Sequence, residues 1–225
     1  VNDADYPARF AAAFPGVAEP ITWGNITRAI ASFQRSLISG NSRFDQFQRG
    51  AVSFSPAELR GLALFNSEKA ECFHCHSGFN FNDQVAHAST QVLDTPFHNT
   101  GLYNVGGTGD FPEGNQGLYE ITFKLTDRGR FRAPSLRNVE VTAPYMHDGS
   151  VATLEEVLNI YAAGGRNITS GPHAGDGRAN PNKSDLITRI DLSEQDKADL
   201  VAFLKTLTDD EFLHDPRFAN PFESP

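Results

Sequence analysis

Residues 71–81 read ECFHCHSGFNF and contain Cys72, Cys75 and His76 in the order C-x-x-C-H. Two cysteines at this spacing can form thioether bonds to the vinyl groups of a haem, and the histidine that follows can reach the iron. A disulfide between them would close a very tight loop, a geometry seen mainly in redox motifs. Because His76 follows directly, the segment predicts a covalently bound haem c with His76 as one axial ligand.

The composition is that of an ordinary soluble globular protein. Of 225 residues, 39% are hydrophobic, and 28 acidic against 19 basic residues give a net charge of -9. This charge argues against nucleic acid and anionic membranes as partners and leaves a basic or neutral protein as the expected kind. No apolar run approaches the roughly 20 residues needed to cross a bilayer, and no signal peptide is expected within the chain. Because covalent haem attachment takes place outside the bacterial cytoplasm, the predicted compartment is the periplasm.

Helical signals precede the C-x-x-C-H segment. Residues 20–38 place apolar side chains at helical spacing behind a cap at Thr22 or Asn25. A second helix is expected to begin at Ser55, with Glu58 completing a capping box, and to lead into the haem motif. A helix ahead of the motif and another near the C-terminus would enclose a haem between crossing helices, so the predicted fold is all-α and cytochrome c-like.

Long loops and two further helices are predicted after the motif. Residues 77–131 are rich in Gly, Asn, Thr and Asp, with short apolar stretches such as LYEITF and no persistent helical period, and predict long loops with a short hairpin. A helix with Ser150 or Thr153 as cap is expected to end at Gly164. The last strong helix is expected to begin at a cap on Ser193.

Four segments resemble one protein family in the same order along the chain. Residues 131–165, FRAPSLRNVEVTAPYMHDGSVATLEEVLNIYAAGG, resemble the C-terminal haem domain of bacterial di-haem cytochrome c peroxidases and of the related MauG-like enzymes. The other matching segments are NITRAIASFQRSLISGNSRFDQF, LRGLALFNSEKAECFHCHSG and LVAFLKTLTD. The resemblance covers nearly the whole chain and is far more specific than C-x-x-C-H alone.

The resemblance also implies what this chain lacks. Family members carry a first haem in an N-terminal domain, which holds the peroxide-binding iron, an acid/base glutamate and a tryptophan between the haems. This chain is expected to begin after that domain, so its catalytic residues stay unknown and Trp23 is not assigned the bridging role. Residues 1–50 are expected to be a helical segment that belongs to or packs on the N-terminal haem domain. Residues 51–225 are expected to form the C-terminal haem domain.

Three kinds of residue compete for the second axial position on the iron. Met146 is the only methionine, and a thioether opposite histidine is common in electron-transfer cytochromes. A histidine or Tyr161 could also bind; the histidines are His74, His87, His98, His147, His173 and His214. In the family the ligating methionine lies near the end of the helix after P-Y-x-H-x-G. The matching position here is Tyr161, as in MauG-like enzymes, so the resemblance favours Tyr161 and leaves Met146 packed beside the haem.

The resemblance implies further contacts around the haem. His147 matches a position close to the haem edge, where it would bind a propionate or make a structural hydrogen bond. Arg132 and Arg137 could pair with propionates, although each is also plausible as a surface charge or a loop clamp. A calcium ion between the haem domains would take the backbone carbonyl oxygens of Thr142 and Pro144.

The predicted function is that of the C-terminal c-type haem portion of a MauG-like di-haem peroxidase. Such an oxidoreductase would use hydrogen peroxide to oxidise a protein substrate or a small electron-donor protein, with the first haem on the N-terminal domain or a companion chain. The alternative is a monohaem c-type cytochrome that only carries electrons, which ligation by Met146 would support.

Overall fold

The computed structural model describes residues 5–85 and 96–220 and is mostly helical, as predicted. Within these residues the α-helices are α1 (Asp5–Ala13), α2 (Trp23–Ser36), α3 (Arg43–Gln48), α4 (Pro56–Phe65), α5 (Tyr119–Thr122), α6 (Leu154–Ala163), α7 (Glu194–Lys205) and α8 (Asp210–Leu213). Short 3-10 turns lie at Cys72–His74, Leu125–Asp127, Val139–Val141, Gly177–Ala179 and Pro216–Phe218. None of the helices in this part of the chain has the length and apolar character of a membrane span.

Polar caps set where the helices begin, because the first N–H groups of a helix have no partner inside it. Ser55 and Ser193 form capping boxes at α4 and α7, as predicted. Of the alternative caps, Thr22 accepts from the amide of Asn25 at α2, and Thr153 forms the capping box of α6. Helix α6 ends as predicted at Gly164, whose φ of 75° is a conformation that glycine adopts without strain.

The stretch LYEITF is helical, although the sequence predicts no helix within residues 77–131. Helix α5 occupies most of it, and the amide of Phe123 donates to the carbonyl of Tyr119 at 2.8 Å. Strand-forming side chains need a neighbouring strand to pair with, and local helical bonds form here instead. The two-stranded antiparallel sheet lies elsewhere, where β1 (Asn167–Ile168) pairs with β2 (Gly175–Asp176).

The chain divides into two compact units. One comprises Val1–Gly40 with Glu211–Pro225, and the other comprises Asn41–Asp210. The first contains α1 and α2, and Phe33 packs edge-on against Phe218 with ring centroids 6.2 Å apart. The second contains the C-x-x-C-H segment and the main hydrophobic core. The predicted domain boundary at residue 50 concerns the longer protein and stays a prediction.

Helices α4 and α7 pack against each other and position the C-x-x-C-H segment that follows α4. The guanidinium of Arg60 donates to both carboxylate oxygens of Asp199, at 2.6 and 2.8 Å. Gly61 lets the two backbones meet, because a Cβ atom there would lie 1.9 Å from the carbonyl oxygen of Asp199. The aromatic core beside this crossing centres on Phe203, which is fully buried and contacts Phe65 and Phe81.

Acidification is expected to weaken the start of α7. Asp196 caps the helix with Ser193 and accepts from Lys69 Nζ at 2.7 Å; these contacts, the Lys69 hydrogen bond first, lower its pKa to about 2. A carboxylate whose pKa is lowered by folding stabilises the folded state above its unfolded pKa of about 3.9 and loses this contribution as the pH falls through the folded value. Between about pH 4 and about pH 2, the unfolding free energy of Asp196→Asn should therefore fall less than that of the unaltered protein. The difference should be about 1 kcal/mol, because the pair is partly exposed.

Denaturant unfolding at a series of pH values measures this effect. Asp185→Asn, at an exposed loop position, is the control and should follow the unaltered protein. Equal pH profiles for the unaltered protein and Asp196→Asn would contradict the assignment.

Candidate haem site

A sharp turn after α4 presents the three residues of the C-x-x-C-H motif together. Glu71 adopts a left-handed conformation with φ 55°, and a 3-10 turn begins at Cys72. The amide of His76 then donates to the carbonyl of Cys72 at 2.9 Å. Cys72 and Cys75 are not joined by a disulfide. The motif therefore forms one compact turn, as thioether attachment of a haem requires.

The two thiols lack the lowered pKa values of a redox pair. Burial raises the pKa of Cys72 to about 12 and that of Cys75 to about 11, and the charge of Asp83 also raises the latter. Redox-active and nucleophilic cysteines have lowered pKa values, because the thiolate is the reactive form. The environment thus disfavours a thioredoxin-like role and fits cysteines that are consumed by attachment.

His76 has the hydrogen bonding of a metal-binding histidine. Its Nδ1 lies 3.0 Å from the carbonyl oxygen of Phe81, so Nδ1 carries the proton and Nε2 keeps a lone pair. Burial lowers the pKa of His76, and this favours the neutral imidazole that binds iron. The residues present therefore fit a haem at this turn.

The Tyr161 phenol is within electrostatic range of Cys75 and Cys72, although they are 86 and 89 residues away in sequence. Tyr161 lies on α6 and is half-buried, and burial raises the pKa of its phenol. Negative charge on Cys75 or Cys72 raises that pKa further. A phenol in such a place stays protonated unless a cation stabilises the phenolate, and ferric iron is such a cation.

Met146 and His147 lie on the loop that precedes α6. Met146 is half-buried and packs against a second apolar cluster that contains Leu102, Tyr103 and Phe111. The ring of His147 stacks on Phe131, with centroids 3.7 Å apart. Burial lowers the pKa of His147, which favours the neutral ring. Neither position tests the predicted contact with the haem, which stays a prediction.

The two arginines of FRAPSLRN have different surroundings. Arg137 donates to both carboxylate oxygens of Asp45, at 2.9 and 3.0 Å, and to the carbonyl of Phe79. It is a buried clamp between loops, one of the alternatives raised from the sequence. Arg132 is exposed, lies over the ring of Phe97 and donates to Gln84 Oε1 at 3.3 Å. Arg132 is therefore the stronger candidate for a propionate.

The predicted calcium ligands lie on an exposed loop. Thr142 directly follows the 3-10 turn Val139–Val141, and its hydroxyl donates to the carbonyl of Val139 at 3.2 Å. Pro144 lies two residues further on and is also exposed. Calcium binding by their carbonyl oxygens stays a prediction.

The alternative histidine ligands have other partners in the described chain. His74 lies 3.2 Å from Glu68, and the ring of His173 is edge-on to Tyr103. His87 lies outside the described residues. His98 pairs with Asp83 at 2.6 Å, next to Cys75. No spacing in the sequence signals this last pair, because its members are 15 residues apart across loops.

The crossing of α4 and α7, the turn at Cys72 to His76 and the oriented imidazole define a cytochrome c-like haem domain. The sequence model of the di-haem cytochrome c peroxidase family matches residues 1–53, and that of the RoxA-like, cytochrome c-like family matches residues 130–162. Over most of its length the chain is similar to di-haem cytochrome c peroxidases and MauG proteins.

Two curated relatives show the extent of this similarity. The cytochrome-c peroxidase IdrP1 of Denitromonas iodatirespirans is 37% identical over 86% of this chain and 53% of its own length. The methylamine utilization protein MauG of Methylorubrum extorquens is 36% identical over 90% of this chain and 49% of its own length. The chain therefore spans about half the length of these curated relatives.

Solved structures share the fold. A MauG-like protein associated with microbial copper homeostasis is 56% identical, with a TM-score of 0.92 over 98% of this chain and 63% of that one. The diheme peroxidase BthA from Burkholderia thailandensis has a TM-score of 0.61 over 92% of this chain and 57% of its own; at 22% identity it shows the fold alone.

Proposed function

We propose that this chain is the C-terminal, c-type haem portion of a MauG-like di-haem peroxidase. The observation that supports the proposal is that the Tyr161 phenol is within electrostatic range of Cys72 and Cys75, in a chain that is similar to MauG over 90% of its length. In the whole enzyme, hydrogen peroxide would be reduced at a second haem held by an N-terminal domain or companion chain. The oxidising equivalents would then be shared with the haem of this chain.

Each residue has a defined task in this proposal. Cys72 and Cys75 hold the haem by thioether bonds, and His76 binds the iron through Nε2 while its Nδ1–H donates to Phe81. Tyr161 would bind the iron as a phenolate. The haem, when bound, supplies one-electron redox chemistry. With His76 and Tyr161 both holding the iron, peroxide would be kept from it and the haem would be restricted to electron transfer.

The substrate is proposed to be a protein. A hard anionic phenolate stabilises the oxidised iron, so the resulting haem is better suited to relaying strong oxidant than to carrying electrons at high potential. This favours oxidation of a protein side chain over oxidation of a small electron-donor protein. The 56% identical MauG-like protein is associated with microbial copper homeostasis. This association favours a substrate protein that takes part in copper homeostasis.

Residues 1–50 are proposed to pack on the N-terminal haem domain. Three large apolar side chains of α2 are strongly exposed: Trp23 at 83%, Ile30 at 53% and Phe33 at 50%. Apolar surface of this kind favours burial in a protein interface. We further propose a periplasmic location, because of the covalent haem, and a calcium ion bound by the carbonyls of Thr142 and Pro144.

Removal of the two thioether bonds tests the haem proposal. We expect intact-mass measurement of the unaltered protein, produced with haem-attachment machinery, to show one covalent haem per chain. The Cys72→Ala/Cys75→Ala protein should carry none after denaturation, because no other residue offers a thiol. His74→Ala, which changes a histidine within the motif that is not assigned to iron, is the control and should retain the haem. Covalent haem in the double variant would refute the assignment.

A further inference from the structure

We propose that Asp83 and His98 form a positioning pair for the haem of this chain. The pair holds the loop that orients His76, and it places a carboxylate beside Cys75, where the haem is attached. This inference rests on the proposed function in one respect, since it requires a haem at Cys72 and Cys75.

The pair is a short, sheltered contact that joins two loops. His98 Nε2 lies 2.6 Å from Asp83 Oδ2, and the two side chains are 18% and 12% exposed. The other oxygen of Asp83 accepts from Gln84 Nε2 at 2.5 Å. The backbone of His98 exchanges two hydrogen bonds with Phe131, at 2.8 and 2.9 Å. Asp83 is therefore anchored to the segment that begins FRAPSLRN.

The same loop carries the hydrogen-bond acceptor of His76. Phe81 lies two residues before Asp83, and its carbonyl oxygen accepts from His76 Nδ1 at 3.0 Å. The Phe81 ring is 6% exposed and packs in the core, so the loop is fixed by the core at residue 81 and by His98 at residue 83. A hydrogen bond at the second nitrogen sets the orientation and basicity of a ligating imidazole. Loss of the Asp83–His98 contact should loosen this bond.

The carboxylate of Asp83 also stands at the attachment point of the haem. Ligand atoms of Cys75, Asp83 and His98 all lie within 4.8 Å of one another. With the Cys75 sulfur bonded to haem, the three are not available as a separate thiolate metal site. A negative charge there favours the oxidised iron, which carries one more positive charge than the reduced iron.

Asp83→Asn tests the electrostatic effect, because it removes the charge and keeps the shape. We expect the reduction equilibrium of the haem to shift toward the reduced form by about tenfold, which is about 59 mV for a one-electron couple. Asp83→Glu should restore most of the original potential. The matched control is Glu68→Gln, which removes a carboxylate from a histidine pair close to the motif: Glu68 lies 3.2 Å from His74 and is 78% exposed. Solvent should screen that charge, so its shift should be smaller than about twofold.

His98→Ala and Asp83→Ala test the positioning effect. We expect the His76 ring N–H to exchange with solvent at least about tenfold faster in both variants, followed by NMR of the haem-loaded protein. His74→Ala should leave the exchange rate unchanged. A merely structural role for the pair would alter stability without altering the potential or this exchange rate.

Three outcomes separate this inference from the proposed function. Intact mass is measured first, and absence of covalent haem from the unaltered protein would overturn both. With haem attached, equal potentials for Asp83→Asn and Glu68→Gln would overturn the electrostatic role of Asp83. An unchanged His76 exchange rate in His98→Ala and Asp83→Ala would overturn the positioning role and leave the proposed function intact.

Discussion

Replacement of Tyr161 by phenylalanine is expected to convert the ferric haem of this chain from low-spin to high-spin. The proposed phenolate is the sixth ligand of the iron, and the phenyl ring that replaces it has no donor atom. The Tyr161 side chain is half-buried and its phenol is within electrostatic range of both attachment cysteines, so its removal should leave one open position on the iron. EPR and optical spectra of the oxidised protein measure the change of spin state.

Tyr161→Met should keep the iron six-coordinate and raise its potential. A neutral thioether stabilises ferrous iron relative to an anionic phenolate, so the midpoint potential should rise by on the order of 0.1 V or more. A near-infrared band typical of Met-ligated ferric haem should then appear.

A control variant and a variant of the competing ligand, compared with Tyr161→Phe, decide between the proposed enzyme and the electron carrier. Tyr145→Phe is the matched control, because the Tyr145 hydroxyl donates to the carbonyl of Val139 at 3.0 Å and should not affect the iron. Met146→Leu tests the competing ligand and should leave the spectra unchanged. If Met146→Leu changed the spin state and Tyr161→Phe did not, the chain would be reassigned as a Met-ligated electron-transfer cytochrome.

Gly61→Ala is expected to destabilise the protein by more than about 3 kcal/mol or to prevent folding with haem. A Cβ atom at this position would lie 1.9 Å from the carbonyl oxygen of Asp199 and 2.8 Å from Cβ of Phe203. Both atoms belong to α7, one in its backbone and one attached directly to it, so relief requires separating α4 from α7. Separation would also strain the Arg60–Asp199 contact.

The control for this prediction is Gly24→Ala in α2. The nearest atom to a Cβ there is Thr22 Oγ1 at 3.9 Å, which is ordinary contact, and alanine is the better helix former. Its unfolding free energy should be unchanged or raised by less than about 1 kcal/mol. Thermal unfolding and the yield of haem-loaded protein measure both variants. Equal stability of Gly61→Ala and the unaltered protein would show that the helices do not pack as described.

Local signals were sufficient where the physical cause is local. Capping at Ser55, Thr153 and Ser193 depends on side chains and amides within a few residues, so the starts of α4, α6 and α7 could be predicted. The apolar stretch LYEITF shows the limit of local signals. Its side chains suit a strand, but a strand requires a distant partner that the sequence does not reveal, and the segment is helical.

The C-x-x-C-H motif could be recognised because its three functional groups lie within five residues. Tyr161 could be named only through the resemblance to a family, because the residues themselves left Met146 and the histidines as alternatives. Its position within electrostatic range of the two cysteines depends on how α6 packs, and periodicity along one helix carries no information about that.

The sequence by itself determined the all-α class, the haem motif, the starts of α2, α4, α6 and α7 and the family resemblance, because each of these depends on neighbouring residues or on a long ordered match. Only the tertiary structure decided the contacts between distant loops. It directs Arg137 to Asp45, pairs His98 with Asp83 and puts the Tyr161 phenol within electrostatic range of the cysteines. The physical reason is that such contacts depend on the packing of the whole core, in which the partner of a side chain is chosen by distance in space rather than by separation along the chain.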